Sequence, residues 1–341
     1  MSDKHKTYAF AVEWLNKFQN PNINYLEIVD GTMGDECSDL GFEMDCGNAF
    51  SEKYGQAVND CDALEKIIDV VDDVNLLGSA IFSQWRYFNH WAYSGTEVLE
   101  PNNRKWFVLA LNRLGFEALF EQWKEKYEFK AFIRDGIVDV LKYEKPHVLF
   151  VLRDMNKDTE GDLRSDLKEC GSGWRTWNNV GRWTKALLDG DEEYPRDMRK
   201  DKRIEQLCRI AAINLKKDGG GSRTNGEELK HAVETYKEMT YEEILLCEPD
   251  IIIACGLPAV GIEGNAVLLR AVLPVCGDEY KISSTGLPRE WSYYFANIGG
   301  KNVPVIGFCH PQATCLDKKR GHELFKILYR DMLTVREKFL K

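Results

Sequence analysis

Three polar residues stand where apolar runs give out: Asp154 after HVLFVLR, Asn214 within RIAAINL and His310 after VPVIGFC. A carboxylate can hold and activate water, an amide can hydrogen-bond a heterocycle, and an imidazole can meet charge on a leaving group. Each has a plainer reading. An Asp after a strand caps a helix or holds Mg²⁺, an Asn there makes a turn, and a His before Pro311 is a satisfied loop side chain. Their order along the chain gives the set its weight.

The elements that would position them read as strands. Residues 147–152 are apolar without alternation, as in a strand buried on both faces of a parallel sheet. RIAAINL (209–215), PDIIIACG (249–256, closed by Gly256) and VPVIGFC (303–309) repeat the pattern. Helical spacing is expected over 130–143, from Trp183 to Leu188, over 227–247 and over 317–339, with Asp317 as N-cap. The stretch 190–203 reads as a charged connection, and 257–300 as short elements and turns. Strands alternating with helices predict a three-layer α/β/α domain on a four-stranded parallel sheet. Ligands of such sheets bind beyond the carboxyl ends of the strands, where Asp154, Asn214 and His310 would lie.

At 341 residues and 44% apolar, the chain can bury two cores. Its net charge of −10 is uneven: residues 1–146 carry 15 Lys+Arg against 25 Asp+Glu, and residues 147–341 carry 30 of each. Any nucleic-acid contact must therefore come from a local patch. None of the ten cysteines makes a C-x-x-C pair, and Cys208, Cys247, Cys255 and Cys309 sit in apolar runs as small hydrophobes. Cys37, Cys46 and Cys61 are the one group spaced for a metal, but no metal or other cofactor is expected. The composition predicts a cytoplasmic protein with reduced thiols and no membrane partner; protein partners are not indicated.

Residues 1–130 predict a helical N-terminal domain, with helices over 7–19, from 62 to 85, and over 103–123. The aromatics of SQWRYFNHWAY (83–93) form its core, or else line a nucleic-acid groove with Arg86, His90, Arg104 and Lys105 as cations. Residues 131–341 form the α/β domain.

The motifs of the second domain resemble those of the uracil-DNA glycosylase superfamily. There the first strand ends in G-Q-D-P-Y-H or G-x-N-P-G, the second in an Asn, and the last in H-P-S. VLFVLRDMNK, AAINLKK and VIGFCHPQAT match at Asp154, Asn214, and His310 with Pro311, and NNVGRWTKALL is similar to G-N-R-F-W-x-x-L. The resemblance spans roughly 147–335. It implies a four-stranded parallel sheet between helices and hydrolysis of an N-glycosidic bond. Asp154 would orient the water, Asn214 bind the flipped base and His310 stabilise the departing base anion. Asn156, Met155, Gln312 and Trp174, Trp177 or Trp183 would surround that base. Arg153, Lys157, Arg175, Arg182, Lys216, Lys217 and Arg223 would grip phosphates.

The chain departs from the family where Asn156 replaces the Tyr that blocks C5-methyl groups, and Gln312 the Ser of H-P-S. A C5-modified pyrimidine, such as hydroxymethyl- or glucosyl-hydroxymethylcytosine of phage DNA, is then the expected substrate, with an antiviral role. No Lys stands out as a Schiff-base nucleophile, so a monofunctional enzyme is expected. The absence of C-x-x-C argues against the iron–sulfur branches. Two other readings stay open: a metal-dependent phosphohydrolase or nuclease using Asp154, and a non-catalytic DNA- or nucleotide-binding module.

Overall fold

The computed structural model describes residues 3–19, 40–42, 68, 71, 73–82, 101–155, 159–171, 175–219, 226–256 and 268–341. Two compact units divide the chain, Met1–Tyr127 and Glu128–Lys341. In the first, α1 (Asp3–Gln19) and α2 (Pro101–Lys126) are the long helices; α1 starts four residues before the predicted 7–19, and α2 runs two residues before and three beyond the predicted 103–123. Phe10, Trp14 and Leu15 of α1 and Leu111, Leu114 and Phe120 of α2 are buried. Lys4 joins the two helices by ion pairs to Glu121 (2.8 Å) and Glu125 (3.3 Å). Of the expected helix 62–85, residues 74–82 are helical, and the Asp73 carboxylate accepts from the amides of Asn75 and Leu76. The stretch 83–93, with Arg86 and His90, lies outside the described residues, as do Cys37, Cys46 and Cys61. Arg104 and Lys105 belong to α2.

The second unit is built on one mixed sheet. Its strands are β1 (Gly136–Ile137), β2 (Val148–Leu152), β3 (Ala211–Asn214), β4 (Ile251–Cys255), β5 (Val275–Ser283), β6 (Glu290–Ile298) and β7 (Lys301–Phe308). They lie in the order β1-β3-β2-β4-β7-β6-β5. The four apolar runs are the adjacent, mutually parallel strands β3, β2, β4 and β7. The sheet is nevertheless seven-stranded rather than four-stranded. A two-residue β1 pairs antiparallel with β3, and β5 and β6 continue antiparallel beyond β7. The edge strand β5 is exposed along most of its length, so it has no apolar run to announce it.

Helices α3 (Arg175–Leu188), α4 (Lys200–Leu207) and α6 (Gly321–Phe339) cover one face. There Val148, Phe150 and Leu152, with Ile251, Ile253, Ile306 and Phe308, pack on Trp183, Leu187, Leu328 and Met332. Helix α5 (Gly226–Cys247) supplies Leu229, Val233 and Ile244 to the other face, opposite Leu149, Val151, Ile252 and Val305. Every residue of β2 and β4 is buried, so both faces are apolar and alternation is absent. Each such side chain contributes about 1.5–3 kcal/mol on leaving water.

Two expectations are corrected. Residues 130–143 are not helical: Gly136 has φ 118°, outside the helical region, and Ile133–Arg134 pairs with Gly161–Asp162 while Gly136–Ile137 joins the sheet. Asp317 does not cap the last helix, which starts at Gly321 after Arg320. It sits at φ 47° between the paired two-residue strands Cys315–Leu316 and Lys319–Arg320, and its carboxylate bonds Arg289 instead. Smaller shifts extend α3 back to Arg175 and place α4 at the end of the charged connection.

Candidate active site at the strand ends

The connection from β2 to β3 runs through α3 and α4 on one face, and that from β3 to β4 through α5 on the other. β3 and β4 flank β2 on opposite sides, so the crevice between the carboxyl ends of β2 and β4 is a topological switch point. Asp154 follows β2 by two residues, Gly256 closes β4, and His310 follows β7 by two. Register places Leu152, Cys255 and Phe308 one strand apart in turn, since Val151 pairs with Ala254 and Cys255 with Phe308. The backbones carrying Asp154 and His310 are thus two strand spacings apart, roughly 10 Å.

Gly256 lets His310 lean into that gap. A Cβ on Gly256 would lie 2.5 Å from His310 Cβ and 2.7 Å from its Cα, and φ of 56° also favours glycine. The histidine therefore rests directly on the β4 terminus. The backbone amide of Gln312 donates to its Nδ1 (3.1 Å), so the neutral ring carries its proton on Nε2, as a donor. Burial and the neighbouring Arg153 hold the imidazole below the usual histidine range, against the pull of Asp154. The loop is clamped from α3: Asn179 Nδ2 donates to the Pro311 carbonyl (2.6 Å), and Arg182 donates to Asn179 Oδ1 (3.0 Å).

Asp154 is half-buried, and its Oδ2 is fully buried without a hydrogen-bond partner. An acceptor left so costs about 1–3 kcal/mol, which a bound donor would recover. Its backbone approach is fixed, because Leu215 and Lys216 amides donate to the carbonyls of Leu152 (3.1 Å) and Arg153 (2.9 Å).

Asn214 ends β3 as expected, level with Leu152. Its backbone amide (2.7 Å) and Nδ2 (3.2 Å) both donate to Asp135 Oδ2. Asp135 also bonds Lys217, which reaches Glu243 at 2.6 Å; all three side chains are fully buried. Lys217 is therefore not a phosphate contact, because a cation with no exposure cannot reach DNA. Burial and the facing Asp135 push the Glu243 carboxyl well above its ordinary range, and Lys217 only partly opposes this. Asp135 and Glu243 escaped the sequence reading. Glu243 left one signal: it falls at i+4 from Met239 and i−4 from Cys247, both buried on the same stripe.

Comparison with protein-family models, curated proteins and solved structures returned no match to this chain.

Trp183 is also corrected: it is 2% exposed and packs edge-on against Phe308 at 5.0 Å, in the core rather than beside a base. Trp177 is buried in the same cluster, and Met155 packs against it. Gln312 is exposed and Arg175 lies exposed in the first turn of α3. Lys216 stands 3.5 Å from Glu228. Asn156, Lys157, Trp174 and Arg223 lie outside the described residues. Among the described residues no three His, Cys, Asp or Glu side chains gather as a metal site requires.

Proposed function

We propose that the chain is a monofunctional DNA glycosylase that hydrolyses the N-glycosidic bond of a flipped-out pyrimidine and leaves an abasic site. The observation that carries this reading is the pairing across Gly256 of a buried, unpartnered Asp154 oxygen with an imidazole whose free nitrogen is a donor. The motif likeness to the uracil-DNA glycosylase superfamily supports it. Water adds to C1′ of the sugar, the C1′–N bond breaks, and its electron pair leaves with the base. Asp154 orients the water, accepts its proton and offsets positive charge on the sugar. The Nε2–H of His310 meets the negative charge that grows on the base oxygen, an interaction worth about 10²–10³ in rate. A gap of roughly 10 Å between the two backbones suits one pyrimidine ring held between the side chains. Extrusion from a duplex costs a few kcal/mol.

Asn156 in place of a bulky aromatic favours a C5-modified base, such as hydroxymethylcytosine or its glucosylated form, and hence a role against phage DNA. Mass spectrometry of bases released from unmodified and modified DNA tests this. Release of a modified base, lost in Asp154→Ala with DNA affinity retained, is the expected result. Ready release of uracil without any modified base would overturn the substrate. Nicked products that vanish in EDTA would replace the enzyme class with a phosphohydrolase. Binding with no released base would leave a DNA-binding module.

A further inference from the structure

His310 opens a tight turn. Its carbonyl accepts the amide of Ala313 (2.9 Å), with Pro311 and Gln312 between them. Pro311 suits the second position because its ring fixes φ, and Gln312 keeps a negative φ, as a type I turn requires. The peptide group joining Pro311 to Gln312 is trans, so its carbonyl and its N–H point in opposite directions from one plane. Both ends are engaged. The N–H donates to His310 Nδ1 (3.1 Å), and the carbonyl accepts from Asn179 Nδ2 (2.6 Å).

Asn179 is itself held. It is 1% exposed near the start of α3, and Arg182, three residues on, donates Nη1 to its Oδ1 (3.0 Å). That leaves the amide a single orientation, with its oxygen toward the guanidinium and its nitrogen toward the carbonyl. Arg182 in turn donates Nε to the Pro195 carbonyl (3.1 Å) and Nη2 to that of Arg196 (3.4 Å). The arginine expected from the sequence to grip a phosphate is thus committed to three protein oxygens.

The turn has a second form. Flipping the 311–312 peptide gives type II, which needs positive φ at Gln312 and aims the carbonyl, not the N–H, at the imidazole. Nδ1 would then have to carry the proton, and Nε2 would become an acceptor. Pro311 is buried, so its carbonyl, deprived of Asn179, would lack a donor unless it turned to that ring.

We propose that Asn179 is a positioning residue: by holding the Pro311 carbonyl it aims the Gln312 N–H at Nδ1 and so keeps His310 as an Nε2–H donor. The assignment rests on the excision reading, in which Nε2–H meets the departing base, and adds to it the residue that fixes the tautomer.

The test reads the tautomer in long-range ¹H–¹⁵N spectra of the full chain labelled at histidine, at pH 8, where the His310 ring is neutral. His310→Ala assigns the signal. Urea midpoints verify folding, and Asn179→Asp, equal in shape and unable to donate to a carbonyl, replaces Asn179→Ala if that change prevents folding. Wild type and Gln312→Gly should both show Nε2–H. Asn179→Ala/Gln312→Gly, in which glycine removes the φ restriction, should shift to Nδ1–H, and kcat for base release should fall about 10²–10³-fold with KM unchanged. Added to His310→Ala, the same pair should cost kcat nothing more. Nε2–H persisting in the double variant, or a further loss of kcat without His310, overturns the assignment and makes Asn179 a packing residue. A tautomer that shifts as expected in a chain that releases no base upholds the role of Asn179 and overturns the excision reading.

Discussion

Asp154 combines two properties that normal packing would not retain together: a buried acceptor without a partner and a place at a switch point. If it serves turnover, replacement should separate activity from stability. Asp154→Asn is expected to cut base release about 10²–10³-fold while raising stability by about 1 kcal/mol, a gain of about 2–4 °C in a unit of this size. A thermal melt beside a release assay measures both, and a variant that loses stability would make Asp154 a packing residue. His310 adds a pH signature. Its native pKa lies below 6.5, so between that value and 6.5 the unfolded chain binds a proton that the native site does not. Stability therefore falls as pH drops through 6.5, and the neutral donor persists into that window. The acid limb of kcat/KM should lie below pH 6.5. A limb at 7 or above would mean that an unburied histidine, or another group, is responsible.

The elements around these residues were legible to different degrees, for physical reasons. β2, β3, β4 and β7 are buried on both faces, and such strands announce themselves as unbroken apolar runs; Asp154, Asn214 and His310 were visible because those runs stop at them. The segment holding Asp135 was misread because Phe132, Ile133, Ile137 and Val138 have helical spacing. Only the backbone shows that Gly136 breaks it and turns Asp135 inward. Lys217 looked like a loop cation because its two partners come from 82 and 26 residues away, at Asp135 and Glu243. That triad fastens β3, the β1 segment and α5 beneath Asn214. Removing one member of a buried charged set leaves the others uncompensated, at about 3–5 kcal/mol. Lys217→Ala should cost that much in urea unfolding at pH 7. A loss under 1 kcal/mol would mean that water reaches the triad. Gly256→Ala acts at the same scale, forcing a Cβ against the His310 backbone. It should cost roughly 1–3 kcal/mol and reduce turnover more than KM, because the histidine is displaced while phosphate contacts are kept.

At the scale of the molecule, the core among the described residues stores free thiols. Cys247 and Cys255 are fully buried, and burial drives both thiol pKa values well above the ordinary value of 9.0; Cys309 is raised in the same way. All three are free. The sign follows from linkage: above pH 9 the unfolded chain releases thiol protons that the native core retains, so unfolding gains free energy with each further unit. Each thiol contributes about 1.4 kcal/mol per pH unit, about 4 kcal/mol for the three together. Tyr143, Tyr294 and Tyr329, also raised by burial, steepen the loss above pH 10. Urea unfolding under reducing conditions at pH 8, 9 and 10 should show stability nearly level to 9 and then falling steeply. Cys255→Ala should subtract a constant amount for its cavity and about one third of the thiol slope. Stability that stayed flat from pH 8 to 10 would place those sulfurs in contact with solvent, and with them the carboxyl half of β4 on which His310 rests.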